Sequence, residues 1–250
     1  MGQEAVNAGI LAAIKYSPYE VYRHCTHRQQ PIISKTIGDD PFLGELMNKR
    51  TGLLHGTSGE YHLVSLKDKL LPMCGILAAG LLSSTVYAWT MKQQGMKDAV
   101  VLCSIGDGAM SEGAAYEGMN LAAILELPIL YVIENNGVAM TTPLEDEAPI
   151  DDLYLRAAAA GMKGCSVDGN DVEAVTETLM EGLALAAKNQ PNVVELKTWR
   201  WQVYYVGDDQ KMYRETSFLD NLDAIDPMKL YEKKLIERGI ADEAFLKKAY

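Results

Sequence analysis

The stretch from residue 100 to residue 142 constrains the fold of this chain more than any other. Residues 100–105 (VVLCSI) form a short apolar run that is typical of a parallel strand buried on both faces. Gly106-Asp107-Gly108 then predicts a sharp turn, because residues without a Cβ can adopt strained dihedral angles and let the backbone approach a ligand closely. A helix is expected from Ser111 to Leu125, and a second buried strand follows over residues 129–133. The stretch is therefore predicted to form one right-handed β-α-β unit.

Asp107 and Asn136 follow the two predicted strands of this unit. The carboxyl ends of neighbouring parallel strands meet at one edge of the sheet, where ligands of such sheets bind. A bare phosphate at this turn would be repelled by the Asp107 carboxylate, which argues against plain dinucleotide binding. A divalent cation removes that repulsion, and Mg²⁺ prefers carboxylate and amide oxygens together with substrate phosphates and water. The sequence therefore predicts a Mg²⁺ site on these two side chains.

The rest of the chain alternates strands and helices in the same way. Further strands are expected at residues 163–167 and 192–198, and further helices at 151–160 and from about 172 to 188. This alternation predicts an α/β fold with a mostly parallel, doubly wound sheet. A length of 250 residues and a hydrophobic content of 48% suit a single domain over residues 1–250. Its helical tail, from about residue 226, is expected to dock through Leu230, Leu235, Ile236, Ile240, Phe245 and Leu246.

Charge and cysteine usage narrow the possible partners. A net charge of -11 makes nucleic acid or an anionic membrane surface an unexpected partner. No apolar run reaches the roughly 18 residues of a membrane span, so a soluble protein is expected. The four cysteines are far apart and no signal peptide precedes them, which favours reduced thiols and a cytoplasmic location.

A family resemblance rests on the residues of the central stretch taken together. They are similar to the thiamine-diphosphate motif, in which Gly-Asp-Gly is followed at a set distance by a double asparagine, and in particular to the alpha subunits of the two-chain 2-oxo-acid dehydrogenases. These act on pyruvate, branched-chain 2-oxo acids or acetoin. The matching residues are Gly106-Asp107-Gly108, Glu117, Asn120, Leu127-Pro128 and Glu134-Asn135-Asn136.

The resemblance implies a thiamine-diphosphate-binding fold and a set of ligand contacts. Mg²⁺ would be held by Asp107, Asn136 and the backbone carbonyl of Val138, and the aminopyrimidine ring of the cofactor would lie near residues 71–75. The residues implied to contact thiamine diphosphate are His27, Arg28, Leu71, Met73, Gly106, Asp107, Gly108, Ala109, Asn136 and Val138.

The resemblance also implies a shared active site. A beta-like partner subunit, in an α2β2 heterotetramer, would supply the glutamate that activates the cofactor. The pair would decarboxylate a 2-oxo acid and pass the activated aldehyde to an acceptor, such as a lipoyl group on a carrier protein.

Two histidines and two arginines fall within residues 22–28. His24 and His27 could share a helix face and bind a metal, although no third ligand lies nearby in the sequence. The resemblance places His27 and Arg28 at the diphosphate. A planar guanidinium suits bidentate phosphate binding, and the alternative for Arg28 is an ordinary surface or interface ion pair. For the loop of small residues that ends in His62, the alternatives are an ordering role at the cofactor or a packed polar connection.

The chain departs from the family pattern after Trp201. The alpha subunits have a His-Gly-His-Ser loop there, whereas residues 202–209 read QVYYVGDD and contain no histidine. Gln202 and Tyr204, with His62, remain as candidate catalytic residues, but Gln202 and Tyr204 cannot exchange protons near pH 7 as imidazole does. This difference favours a carboligase (acyloin-forming) reaction about as much as a lipoamide-linked dehydrogenase reaction. The further alternatives are a metal-nucleotide protein and a non-catalytic structural paralogue.

Overall fold

Five parallel strands form the central sheet of the protein, which a computed structural model describes for residues 2–249. They lie in the order β1-β2-β3-β7-β6, and β4 and β5 form a separate antiparallel pair. In chain order the strands are β1 Glu20–His24, β2 Ala99–Gly106, β3 Ile129–Asn135, β4 Val138–Ala139, β5 Thr142–Pro143, β6 Lys163–Asp168 and β7 Asn192–Lys197.

Helices connect and cover the strands. The α-helices are α1 Glu4–Tyr16, α2 Gln30–Ile37, α3 Asp39–Leu46, α4 Ala79–Gln93, α5 Gly113–Ile124, α6 Leu144–Glu147, α7 Arg156–Ala159, α8 Val172–Ala186, α9 Pro227–Glu237 and α10 Glu243–Ala249. Short 3₁₀ turns include Gly108–Ser111, Leu153–Leu155 and Ser217–Ala224. Among the helices of residues 2–249, none has the length and apolarity that a membrane crossing requires.

The core lies in two layers, one on each face of the sheet. On one face, α4 and α5 pack over Val101, Cys103 and Ile105 of β2, and on the other face α1 and α8 pack over Val100 and Leu102. Alternate residues of one strand thus enter opposite cores, which is why the strand is apolar throughout. The predicted mostly parallel, doubly wound sheet is confirmed.

The strand register brings the ends of β2 and β3 together. Gly106, the last residue of β2, is paired with Glu134 of β3. Asp107 therefore leaves the sheet beside Asn135 and Asn136, as the crossover geometry predicts.

Three local expectations differ from the structure. Residues 20–24 form β1 at the sheet edge, although their mixed polar sequence does not predict a strand. The helix expected over residues 151–160 is reduced to a 3₁₀ turn and the single turn of α7. The helical tail is present, but four of the six predicted apolar anchors are exposed, namely Leu230, Ile236, Ile240 and Phe245, and the other two, Leu235 and Leu246, are partly buried.

Ion pairs also connect the tail to the start of α8. Lys234 of α9 lies 2.5 Å from Glu173 and 3.2 Å from Asp171, at the start of α8, and Arg238 lies 2.8 Å from Glu173. Because these charges are partly exposed, each pair contributes little to stability.

One buried carboxylate organises the loop that approaches the candidate site. Glu45 of α3 is 0% exposed and accepts hydrogen bonds from the backbone N–H groups of Leu54, Gly56 and Ser58 at 2.8, 3.0 and 2.7 Å. Burial opposes its ionisation, but the hydrogen bonds from Ser58, Gly56 and Leu54 outweigh burial and lower the pKa of this carboxyl to about 2.

Replacing Glu45 with Gln is therefore expected to destabilise the protein, by roughly 2–4 kcal/mol, because an amide cannot accept all of these hydrogen bonds. The Glu45 pKa is lower in the folded chain than in the unfolded chain. Its stabilisation is thus present above about pH 4.5 and is lost as the pH falls from there towards 2. Urea unfolding between pH 3 and 7 measures both effects, with Asp40→Asn, an exposed carboxylate of the same helix, as the control. A Glu45→Gln protein as stable as this control at pH 7 would contradict the assignment.

Candidate metal and cofactor site

A cavity of about 290 Å³ opens at the carboxyl ends of β1, β2 and β3. It brings together most of the residues that the sequence analysis selected for cofactor binding. Those that line it are His27, Arg28, Met73, Gly106, Asp107, Gly108, Ala109, Asn136 and Val138, with Tyr204 of the catalytic candidates.

Asp107 presents one carboxylate oxygen without a partner. The residue is 4% exposed, its Oδ1 accepts a hydrogen bond from the Gly108 N–H at 3.1 Å, and its Oδ2 is buried and unpaired. Burial raises the pKa of this carboxyl to about 6, and the nearby Glu147 carboxylate adds to the effect. A buried carboxylate oxygen without a partner in the protein is a suitable ligand for a cation.

The glycines around Asp107 matter because they lack a side chain, and not because they adopt strained dihedral angles. Neither Gly106 nor Gly108 has a positive φ, so that part of the expectation is wrong. A Cβ on Gly108 would lie 2.6 Å from the Cβ of Ala139, which shows how closely the turn packs against β4. A Cβ on Gly106 would meet nothing within 4 Å, which leaves that side of the backbone open.

The two asparagines after β3 have different roles. Asn135 is structural: its Nδ2 donates to Glu195 at 2.6 Å and its Oδ1 accepts from the Gly137 N–H at 3.0 Å. Asn136 lines the cavity, is 6% exposed, and its buried Oδ1 has no partner. The second oxygen that the sequence predicted is therefore available beside Asp107.

Arg28 and His27 form the cationic and aromatic side of the cavity. The Arg28 guanidinium makes no ion pair with any residue in the 2–249 range, so the alternative of an ordinary ion pair within the chain is not observed. Burial lowers the pKa of His27 to about 4, with Arg28 as a second cause, so the imidazole is neutral at pH 7. Its buried Nε2 has no partner.

Tyr204 closes the cavity where the family pattern has a histidine loop. Its ring lies 5.9 Å from the Arg28 guanidinium and 6.2 Å from the His27 ring, which it meets edge-on. The side chain therefore contacts both residues that were expected at the diphosphate.

A hydrogen-bond network fixes the backbone of Tyr204. Its N–H donates to Asp208 at 2.8 Å, and Asp208 also accepts from the Tyr213 hydroxyl at 2.8 Å. Arg200, which is 1% exposed, donates to the Tyr213 hydroxyl at 2.9 Å and to the Met140 carbonyl at 2.8 Å. The loop is thus tied to the segment that carries Val138.

Several predicted residues lie elsewhere. Leu71 is 1% exposed in the core, where its N–H donates to the Arg23 carbonyl, and the residues at the cavity are Met73 and the segment 74–78. Gln202 and His62 are exposed and outside the cavity lining, whereas Tyr61 belongs to that lining. The suggestion that His24 and His27 share a helix face is wrong, because His24 ends a strand.

A buried network under the cavity escaped the sequence analysis. Glu134 accepts hydrogen bonds from Gln29 and from Thr26, and Gln29 also donates to Ser104 at 2.8 Å. Burial raises the pKa of Glu134 to about 7, against the attraction of Arg28. The sequence analysis included Glu134 in the family motif, but nothing in the sequence indicated that Gln29 and Thr26 would contact it.

The donor set fits Mg²⁺ and a diphosphate. Two orphaned side-chain oxygens and a backbone carbonyl leave room for phosphate and water in an octahedral shell. No group of three or more His, Cys, Asp or Glu residues in the described part of the chain could hold a metal alone, so a ligand must complete the coordination shell. The unpaired Arg28 supplies the charge that such an anion needs.

Comparisons with known proteins give matches along the whole chain. The family model described as the dehydrogenase E1 component matches residues 1–250. The alpha subunit of acetoin:2,6-dichlorophenolindophenol oxidoreductase from Bacillus subtilis is 32% identical over 97% of this chain and 72% of its own length. The alpha subunit of the pyruvate dehydrogenase E1 component from Rickettsia felis is 31% identical over 99% of this chain and 75% of its own. The Cupriavidus necator acetoin oxidoreductase alpha subunit is 32% identical over 96% and 71%.

Proposed function

The chain belongs to the dehydrogenase E1 component family, as an alpha-type subunit of a thiamine-diphosphate-dependent enzyme that decarboxylates 2-oxo acids, and from this premise we propose how its residues do that work. The observation that carries the proposal is the pair of buried, unpaired oxygens on Asp107 and Asn136. Together with the carbonyl of Val138, they would hold Mg²⁺. Arg28 and His27 would hold the diphosphate.

The residues that line the cavity suit a ligand with a charged diphosphate group and aromatic rings. When bound, thiamine diphosphate supplies the nucleophilic carbon and the electron sink that decarboxylation requires. Arg28 neutralises phosphate charge, and His27, being neutral, can donate or accept one hydrogen bond there. Met73, Ile76 and Leu77 give the remaining wall an apolar surface that excludes water.

A beta-like partner is proposed to cover an exposed apolar face beside the cavity. Helices α4 and α5 pack side by side, and their outward side chains remain exposed although they are large and apolar. Exposed large apolar side chains on adjoining helices are typical of protein interfaces. The face, which we call the α4–α5 face, consists of Val86, Trp89, Tyr116 and Ile124. We propose an α2β2 heterotetramer in which the partner completes the site.

The acceptor is proposed to be a lipoyl group on a carrier protein. The relatives are named as dehydrogenase and oxidoreductase subunits, so the carboligase alternative raised by Tyr204 gains no support from them. A reducing, cytoplasmic setting is also proposed, since all four cysteines are unpaired thiols.

An assay of the assembled pair tests the proposal. The chain and its beta-like partner are incubated with pyruvate, a lipoylated carrier protein, thiamine diphosphate and Mg²⁺, and carbon dioxide release and carrier acylation are measured. We expect both products, and we expect the loss of both when EDTA removes the cation. A pair that releases carbon dioxide without thiamine diphosphate, or that decarboxylates neither pyruvate nor a branched-chain 2-oxo acid, would show that the function is wrong.

A further inference from the structure

His24 is a buried histidine in the cavity lining that none of the roles above uses. It is the last residue of β1, is 6% exposed, and is paired in register with Cys103 of β2. Because β2 continues to Gly106, His24 lies deeper in the sheet than the metal-binding turn. It therefore belongs to the floor of the cavity and not to its phosphate side.

The hydrogen bonds of the ring fix its tautomer. Nδ1 lies 3.1 Å from the carbonyl oxygen of Ser104, which can only accept, so we assign the proton to Nδ1. Nδ1 also lies 4.0 Å from the Cys103 sulfur, whose thiol is oriented towards the Gly80 carbonyl at 3.8 Å. Burial lowers the pKa of His24, which keeps the ring neutral. Nε2 therefore carries a lone pair, and this buried atom has no partner.

The start of α4 is built to accommodate this imidazole. A Cβ on Gly80 would lie 2.0 Å from His24 Nε2, so any other residue at position 80 would displace the ring. Gly80 and His24 both line the cavity. An unpaired acceptor in such a confined place requires a donor from a bound molecule or a water.

We propose that His24 Nε2 accepts a hydrogen bond from an N–H donor on the heterocyclic part of the bound cofactor. The proposal rests on the proposed function, since thiamine diphosphate must be the ligand. Its diphosphate offers only acceptors, and its one N–H donor group is the amino group of the pyrimidine ring. A neutral acceptor on the cavity floor thus selects the ring end of the ligand, while Arg28 and Asp107 select the phosphate end.

His24→Leu tests the proposal by binding and not by activity. Calorimetry with the chain in complex with its partner, in the presence of Mg²⁺, measures the affinities for thiamine diphosphate, inorganic pyrophosphate and oxythiamine diphosphate, in which an oxygen replaces the amino group. We expect the variant to bind thiamine diphosphate roughly 10-fold more weakly than wild type, because a buried donor loses its acceptor. Pyrophosphate affinity should be unchanged, and the wild type's preference for thiamine diphosphate over the oxygen analogue should shrink in the variant.

Two further variants keep the outcome decisive. His24→Gln retains a carbonyl acceptor and should recover part of the lost affinity, whereas Tyr16→Leu changes an exposed side chain outside the cavity lining and should bind like wild type. Equal thiamine diphosphate affinity in wild type, His24→Leu and His24→Gln would overturn the proposal and leave a buried water as the partner of Nε2. A parallel loss of pyrophosphate affinity would also overturn it, because the damage would then be general. A wild type that binds pyrophosphate but not thiamine diphosphate would instead overturn the proposed function.

Discussion

Replacing Asp107 with Ala is expected to reduce the affinity of the chain for Mg²⁺ and thiamine diphosphate by roughly 100-fold or more, since removing one partner of a buried charge pair costs about 3–5 kcal/mol. Asp107 is the only carboxylate inside the glycine turn, and its unpaired Oδ2 is buried at the cavity. Without it, Mg²⁺ would lose its one charged protein ligand and would be held only by the diphosphate and neutral oxygens.

The same substitution should leave the fold intact. The Asp107 carboxylate is desolvated in the chain without ligand, and burial raises its pKa to about 6. Removing it takes away a buried charge together with one hydrogen bond from the Gly108 N–H, so the unfolding free energy of the ligand-free variant should be close to or above that of wild type.

Calorimetric titration with thiamine diphosphate, with and without Mg²⁺, measures the binding effect, and urea unfolding measures stability. Asp146→Ala is the control, because Asp146 is an exposed carboxylate in the neighbouring helix α6 and its loss changes the net charge equally. Undiminished affinity in Asp107→Ala, or an equal loss in Asp146→Ala, would contradict the metal assignment.

The part of this site that could be predicted from the sequence is the part that one β-α-β unit carries. Two apolar strands, a glycine turn and a double asparagine are close together in the chain, and the rule for parallel crossovers converts that order into proximity. The register of Gly106 with Glu134 confirms it. The positions of Asp107 and Asn136 at the cavity are explained by the ends of β2 and β3, which these residues follow directly.

The rest of the site depends on contacts between distant segments. Gln29 meets Glu134, and His24 meets Ser104, only because β1 and its following turn lie beside β2. Strand β1 could not be recognised, since only Val21 and His24 of its five residues are buried. The periodicity that identifies a strand is weak when one edge and one face remain partly exposed.

The C-terminal tail shows a second limit of sequence patterns. An amphipathic pattern predicts an apolar docking face, but α9 is held by Lys234 and Arg238 against the first turn of α8. Asp171 and Glu173 interact favourably with the positive end of the α8 dipole. The basic side chains of the tail bind these same two acidic residues. Hydrophobic pattern alone does not distinguish a face that packs internally from one that stays exposed.

The chain without its partner is expected to be inactive, with activity at least roughly 100-fold below that of the assembled pair, because a group supplied by the partner in proton transfer contributes about that factor. The exposed α4–α5 face supports this expectation. Trp89 is 43% exposed and Ile124 is 68% exposed, although both lie in helices that pack on the central core. Burial of such apolar side chains against a partner lowers the free energy of the system.

Trp89→Glu should prevent this association, because it places a charge on the proposed interface. Light scattering and the decarboxylation assay, with and without the beta-like partner, are expected to show a chain that stays unassembled and inactive.

Tyr16→Glu provides the matched control. Tyr16 is 63% exposed at the end of α1, on the opposite face of the sheet from α4 and α5, so a charge there should leave assembly unchanged. Circular dichroism of both variants verifies that they fold. Full decarboxylation activity from an unassembled wild-type chain, or normal assembly by Trp89→Glu, would mean that the α4–α5 face is not where the partner binds, and the exposed apolar side chains would need another occupant.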